Sequence, residues 1–189
     1  MLMKAQIIKK FGDPSLFKLT DIPKPILKSG HVLIKVSATS VNPIDCKIRS
    51  GAVPSIAPEF PAILHGDVAG IITEIAPDIK EFQVGDEIFG YAGGVCHTGG
   101  ALAEFMLADA NCIAKKPMSL SMLEAAALPV VAITAWTALF EKAHLSKDKS
   151  ILIHGGVGHI AIQFAKWCGA KIYTTILKEE DIVLGSVKQ

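Results

Sequence analysis

Cysteine is scarce in this chain: Cys46, Cys96, Cys112 and Cys168 are the only four in 189 residues, and no two form a C-x-x-C pair. That spacing excludes a dense disulfide framework and a zinc ribbon, and it predicts free thiols in a reducing cytoplasm. Charge of one sign is also missing. The formal net charge is +1 and no basic block occurs, so neither nucleic acid nor an acidic membrane surface is an expected partner. The longest uncharged run, Ala125 to Phe140, has sixteen residues broken by Pro129, Thr134 and Thr137, too short for a membrane-spanning helix. The start, Met-Leu-Met-Lys followed by Lys9-Lys10, lacks a secretory apolar region. No internal repeat or low-complexity tract is present. What is there is half hydrophobic and one-fifth charged, the composition of a folded protein long enough to bury a core.

Two textures meet near residue 120. Before it, short alternating or β-branched runs (Ala5–Ile8, Leu16–Ile22, Val32–Ser37, Val68–Ile75, Glu87–Phe89, Ala101–Leu107, Ile113–Lys115) are separated by glycine and proline. Such strands predict a small antiparallel barrel. From Ser121 the pattern turns helical. Ser121-Met122-Leu123-Glu124 is a capping box, Pro129 is expected to end or kink that helix, and Thr134 to Ala143 reads as a second one with Trp136 and Phe140 in its core.

The apolar run Ile151–Ile153 stops on glycines and restarts with helical periodicity at Ile160, Ala161, Phe164, Ala165 and Cys168. Gly169 stands where a left-handed C-cap belongs, and Lys171 to Thr175 is the next strand. A strand, a glycine turn, a helix and a strand open a dinucleotide-binding domain. There the glycines let the backbone approach a pyrophosphate, and the helix N-terminus binds its charge. Gly155, Gly156, Val157 and Gly158 are the candidate phosphate-binding residues. The second strand ends Thr174-Thr175, with Lys178 close and Glu179, a carboxylate that could take a ribose 2′-hydroxyl, only later; this favours NADPH. The plain alternative makes Lys178 to Asp181 a solvated helix start. His154 and His159, beside the glycines, are read as structural.

Read together with Val41 to Gly51, Gly66-Asp67-Val68-Ala69-Gly70, Val84 to Gly90, Gly100 to Phe105, Ala125 to Pro129 and Thr134-Ala135-Trp136, this turn resembles the medium-chain dehydrogenase/reductase superfamily. The branch it is most similar to is that of the zinc-independent quinone oxidoreductases. The resemblance implies an α/β plus β fold: a co-chaperonin-like antiparallel barrel, residues 1–120, carrying the catalytic groups, then an incomplete Rossmann domain, residues 121–189. It also implies hydride transfer from NADPH to a quinone, enone or small carbonyl acceptor, commonly in dimers or tetramers.

Zinc-dependent relatives carry a cysteine at the position of Asn42 and a His-Glu pair at Gly66-Asp67, so no metal is expected. His65 stands one residue early and Cys46 four residues late for such a site. The resemblance places Asn42 beside the nicotinamide, its amide holding the carboxamide or the acceptor oxygen; the alternative is a turn residue before Pro43. Asp45 is expected to hold a backbone turn. Cys46 replaces a tyrosine found in many relatives, a weaker donor. Thr134 aligns with a cofactor-contacting threonine and equally with a helix N-cap.

The chain also departs from the family. The glycine turn is shorter than in quinone reductases, and the residues after Thr175 are too few for the remaining Rossmann strands. A shortened or degenerate member is therefore expected, with weak or absent activity. Its first Rossmann strands would expose an apolar face for self-association or a partner to cover. The competing reading is a non-enzymatic remnant that binds nucleotide weakly or acts through protein contacts. A zinc alcohol dehydrogenase is disfavoured by the absent ligands.

Overall fold

The computed structural model describes residues 1–96, 98–154 and 158–175. The chain divides into two compact units, Met1–Val130 and Val131–Gln189.

In the first unit, strands β3 (His31–Ala38), β5 (Asp67–Ile75), β6 (Glu87–Tyr91), β7 (Phe105–Asp109) and β8 (Ile113–Lys115) form an antiparallel sheet in the order β7-β3-β5-β6-β8. A second antiparallel sheet pairs β1 (Leu2–Ile8) with β2 (Lys18–Pro23) and with the short β4 (Ala62–Ile63). The segment before β7 joins the two sheets. The Glu104 N–H donates to the Lys4 carbonyl at 3.0 Å, and the Glu104 carbonyl accepts from Val36 N–H at 3.0 Å. This linkage accounts for the run Ala101–Leu107 looking like one strand: its first half bridges to β1 at Ala5↔Ala103, and its second half is β7.

Alternation places Val32, Ile34, Val68, Ile72, Ile88 and Met106 in one core cluster. Burying each such aliphatic side chain contributes about 1.5–3 kcal/mol. Leu33, between two core residues, is equally buried, so β3 is covered on both faces. Helix α1 (Pro43–Ser50) opens on proline at its first position and ends at Gly51, whose φ of 81° is the left-handed conformation glycine accepts freely. Ile48 of α1 packs on Ile8, Ala62 and Leu64.

Helix α2 (Met122–Ala126) starts at the expected capping box: Ser121 N–H donates to Glu124 Oε2 at 2.8 Å, and Glu124 N–H to Ser121 Oγ at 3.3 Å. Its alanines Ala125 and Ala126 pack on Ala38 and Ala69 of the sheet. The division between units therefore falls after α2, at Val130, and later than residue 120, where the texture of the sequence changes. The helix opening at Ser121 stops before Pro129, as expected, and Pro129 then begins the next helix. It is the first residue of α3 (Pro129–Trp136), where its missing N–H leaves no bond unmade.

In the second unit the helix widens to π geometry over Thr137–Lys142, with Ala143 N–H donating to the Ala138 carbonyl at 3.0 Å. Strands β9 (Ser150–Ile153) and β10 (Lys171–Thr174) pair in parallel through α4 (Gly158–Trp167), the expected strand–helix–strand. Gly169 takes φ 79° as the helix stop. Buried Ile160, Ala161 and Ala165 turn one face of α4 inward. Leu152, in the apolar run of β9, is 56% exposed. Trp136 also departs from the core reading, while Phe140 is half-buried. They stack with Phe164 and Trp167 in an aromatic cluster, and Trp136 remains 43% exposed.

Gly70 shows how tightly β3 and β5 meet: a Cβ there would lie 2.3 Å from the Lys35 carbonyl oxygen and 2.7 Å from Ile34 Cγ2. Because the first obstacle is backbone, Gly70→Ala should destabilise the first unit by about 1–3 kcal/mol in urea unfolding. An unchanged midpoint would refute the close packing.

Candidate functional site

The site is built around a charge in an apolar strand. Asp67, at the start of β5, is 0% exposed and is followed by buried Val68, Ala69 and Gly70. A carboxylate so placed must be fully hydrogen-bonded. Ser40 Oγ donates to its Oδ2 at 2.5 Å, Asn42 Nδ2 donates to the same oxygen at 2.8 Å, and Val130 N–H donates to Oδ1 at 3.0 Å. Thr39 Oγ1 donates to the Asp67 carbonyl at 2.6 Å. One side chain thus fastens the β3–α1 connection and the start of α3 to β5.

This network fixes Asn42. Its amide nitrogen also donates to Ser40 Oγ at 3.1 Å, so both amide hydrogens are committed. The reversed amide would set oxygen against the carboxylate, so Asp67 dictates the orientation and leaves Oδ1 as the atom able to accept from a ligand. The Asn42 backbone N–H donates to Asp45 Oδ2 at 2.7 Å, so Asn42 is the N-cap of α1 and Asp45 its capping-box partner.

Position 66 has no room for a side chain. A Cβ on Gly66 would stand 2.2 Å from a Tyr91 ring carbon and 2.6 Å from the Gly93 carbonyl oxygen. A histidine there, as in a zinc site, does not fit. Among the described residues no group of three or more His, Cys, Asp and Glu side chains could hold a metal ion. Burial, reinforced by Asp45, Asp67 and Cys96, pushes the Tyr91 hydroxyl up to about 12, so it keeps its proton and can donate a hydrogen bond.

Beside this network lies a cavity of about 420 Å³ whose lining includes Asp45, Cys46 and His65. His65 is a non-glycine residue at φ 70°, 8% exposed, and its Nδ1 has no hydrogen-bond partner. Gly94 and Gly100 approach the backbone of residues 64 and 65 so closely that a Cβ on either would clash. Asp45 is 3% exposed and its second oxygen, Oδ1, is likewise unpaired. Each unpaired buried group costs on the order of 1–3 kcal/mol. Burial raises the Asp45 carboxyl above its ordinary value and lowers the His65 imidazole below its own, each opposed by the other's charge.

The other sequence candidates lie in the second unit. Thr134 is exposed in the interior of α3, one residue before buried Ala135, so it is not an N-cap. Gly158 is the first residue of α4; it is buried, and a Cβ on it would stand 3.6 Å from Ile153 Cγ2. Thr174 Oγ1 donates to the Ile153 carbonyl at 3.1 Å, and Thr175 Oγ1 meets His154 Nδ1 at 2.9 Å. These hydroxyls mark the end of β10, where no carboxylate stands among the described residues. Gly155, Gly156, Val157 and Lys178 lie outside the described residues. The described parts of the parallel unit therefore fit a dinucleotide: a strand, a helix beginning on glycine, and a second strand ending in hydroxyls.

Sequence reasoning missed Ser40, Asp67 as a hub and the unpaired atoms of Asp45 and His65. The lone acidic residue opening Asp67-Val68-Ala69-Gly70-Ile71-Ile72 was the available signal.

Residues 28–118 match the family described as the alcohol dehydrogenase GroES-like domain. The mouse quinone oxidoreductase is 39% identical over 183 residues, covering 95% of this chain and 54% of that protein. An alcohol dehydrogenase superfamily protein from Novosphingobium aromaticivorans superposes with a TM-score of 0.90 at 37% identity, over 96% of this chain and 56% of that one. A mycobacterial protein solved as a complex with NADPH gives 0.82 at 30% identity, over 97% and 56%. The chain thus spans about half the length of the curated relatives it matches.

Two measurements test the site. Removing the hub carboxylate in Asp67→Ala takes away an acceptor shared by Ser40, Asn42 and Val130 and should cost about 3–5 kcal/mol in urea unfolding. The second test is pH-dependent. The unfolded chain takes up the His65 proton near 6.5 and the folded chain only lower, so stability should fall as pH drops through 6.5 towards the folded value. Asp45 acts oppositely, its contribution lost as pH rises from 3.8 through its raised folded value. Replacing His65 with Asn should flatten the upper arm of thermal midpoint against pH; an arm already flat in the parent protein would contradict the lowered imidazole.

Proposed function

The chain belongs to the medium-chain dehydrogenase/reductase superfamily, and from that membership we propose that it is an NADPH-dependent, zinc-free oxidoreductase. Its acceptor would be a quinone, enone or other small carbonyl compound. The observation that carries this reading is the Asp67–Asn42 network, which holds an amide rigidly where the family resemblance puts the nicotinamide. Nicotinamide, when bound, supplies the hydride. Asn42 Oδ1 accepts from its carboxamide, while Asp67 and Ser40 hold the amide in place. The crowding at Gly66 supports zinc-free chemistry. The hydroxyls of Thr174 and Thr175 support the phosphorylated dinucleotide, with Gly155, Gly156, Val157 and Gly158 assigned to the pyrophosphate, Lys178 to the 2′-phosphate and Thr134 to the cofactor's edge.

The residues that act here position groups rather than form bonds, as hydride transfer requires. Four free thiols fit a reducing compartment, and we assign the protein to the cytoplasm. Exposed Leu152 and Tyr173 give β9 and β10 an apolar face suited to self-association.

A fluorescence or thermal-shift titration decides between this reading and a non-enzymatic member acting through weak nucleotide or protein contacts. NADPH should bind saturably and more tightly than NADH. Thr175→Asp should reverse that preference by roughly tenfold, by setting a carboxylate against the 2′-phosphate. No response at millimolar cofactor would favour the non-enzymatic reading. Stoichiometric zinc in the purified protein would overturn the zinc-free assignment.

A further inference from the structure

An antiparallel sheet ends on edge strands, whose outer N–H and C=O groups lack a partner and must be guarded or covered. The sheets of the first unit, β2-β1-β4 and β7-β3-β5-β6-β8, end on β2, β4, β7 and β8. Strands β4 and β8 are only two and three residues long. Strand β2 carries Lys18, Asp21 and Pro23, residues that discourage a further strand. β7 has no such guard before its last residue: it reads Phe-Met-Leu-Ala-Asp and pairs with β3 without a bulge. β1 covers this stretch only as far as Glu104, whose N–H donates to the Lys4 carbonyl. Val36 N–H donates to the Glu104 carbonyl and Ala110 N–H to the Gly30 carbonyl, both at 3.0 Å, and the register between them is unbroken. Alternation then turns Met106 and Ala108 towards β3 and points the N–H and C=O groups of Phe105, Leu107 and Asp109 away from it. Among the described residues those groups meet no backbone partner, and all three residues line a cavity of about 520 Å³.

We propose that this cavity takes an extended peptide segment of a partner protein, which adds to β7 as a further strand of the sheet. The edge dictates the backbone: donors and acceptors alternating along Phe105, Leu107 and Asp109 are matched by another strand. The walls dictate the side chains. A strand sends alternate residues to its two faces. Met106 lies on one face of β7 and Phe105 and Leu107 on the other, and Pro25, Ile63 and Val95 complete the apolar wall. Both faces of the added strand therefore meet apolar groups, which asks for β-branched aliphatic residues. Charge sets the end. His31 stands opposite Asp109, and its N–H donates to the Lys28 carbonyl at 3.2 Å, so Lys28 lines the cavity at the Asp109 end. Asp109 Oδ1 is taken by Asn111, through its backbone N–H at 2.9 Å and its amide at 3.0 Å, while Lys28 has no carboxylate partner among the described residues. An acidic residue at the start of an antiparallel segment answers that charge. A second copy fits less well. Tyr91, Gly93 and Gly99 wall the cavity beyond the edge, which leaves width for one strand and not for the rim of another folded sheet.

The test uses the whole chain without cofactor and the blocked peptide acetyl-Glu-Val-Val-Ile-Thr-Val-amide. Calorimetry should show saturable binding. Two further forms of the peptide carry N-methyl groups on alternate peptide nitrogens. One should bind about tenfold more weakly and the other like the parent, because only every second N–H of an added strand faces β7. Hydrogen exchange followed by NMR should slow at Phe105, Leu107 and Asp109 and stay unchanged at Met106 and Ala108. Leu107→Pro deletes an outward N–H that β3 does not use, so the sheet keeps its bonds while peptide binding is lost. If that variant does not fold, Lys28→Glu, at an exposed side chain, should weaken binding severalfold. Equal losses from both methylation patterns, no slowing at the three amides, or no binding at millimolar peptide would overturn the proposal. So would slow exchange of those amides in the free protein. Seen at every concentration, it means an edge filled from within the chain; seen only at high concentration, it means one filled by a second copy.

Discussion

A buried carboxylate must be surrounded by donors, and that requirement at Asp67 organises everything around it. Its partners come from two separate stretches: Ser40 and Asn42 from the loop after β3, and Val130 from the start of α3. None of them is near Asp67 in sequence, so the carboxylate ties one loop and one helix start into a single arrangement. Its energetic worth lies less in the bonds made than in the donors that would be stranded without it. Because Asn42 is both a partner of Asp67 and the residue next to α1, the orientation of its amide and the start of the helix are set together.

Space does as much as charge at position 66. With no side chain there, the Tyr91 ring closes on the Gly66 backbone, and the Gly93 carbonyl stands behind it. The absence of a metal-binding side chain is thus built into the packing of neighbouring strands and is not an open vacancy that one substitution could fill. Gly94 and Gly100 press on residues 64 and 65 in the same way. This collar of glycines holds His65 in a conformation that its side chain disfavours.

Most of the fold was legible from patterning. The period-two runs of β3, β5 and β6, the Ser121 capping box, the Gly169 stop and the parallel pair around α4 all follow from local rules. The failures were tertiary. Proline and the threonine pattern placed a helix start at Thr134, but Pro129 is as well suited to opening a helix as to ending one, and the continuous apolar stretch behind it carried no phase to decide. The alanines of α2 read as the beginning of the second unit. They instead fill a shallow site on the first sheet, and only the small size of Ala38 and Ala69 across from them makes that fit. For the site, Asn42 was singled out through its family context. The roles of Ser40, Asp67 and His65 depend on contacts across 25 or more residues, which no local pattern encodes.

The protonation behaviour of these groups bears on what chemistry they can carry. A general acid works best with a pKa near the working pH. Burial moves Tyr91 the wrong way, to about 12, and moves the His65 imidazole towards staying neutral. Asp45 is pushed towards the neutral range from below, yet its other oxygen is tied to the cap of α1, so proton exchange there would disturb the helix that positions Asn42. Each group is therefore better suited to holding a hydrogen bond than to passing a proton. That is the economy the proposed oxidoreductase reading asks for: the protein would fix directions and exclude competing geometry, and a proton needed after hydride transfer would come from solvent.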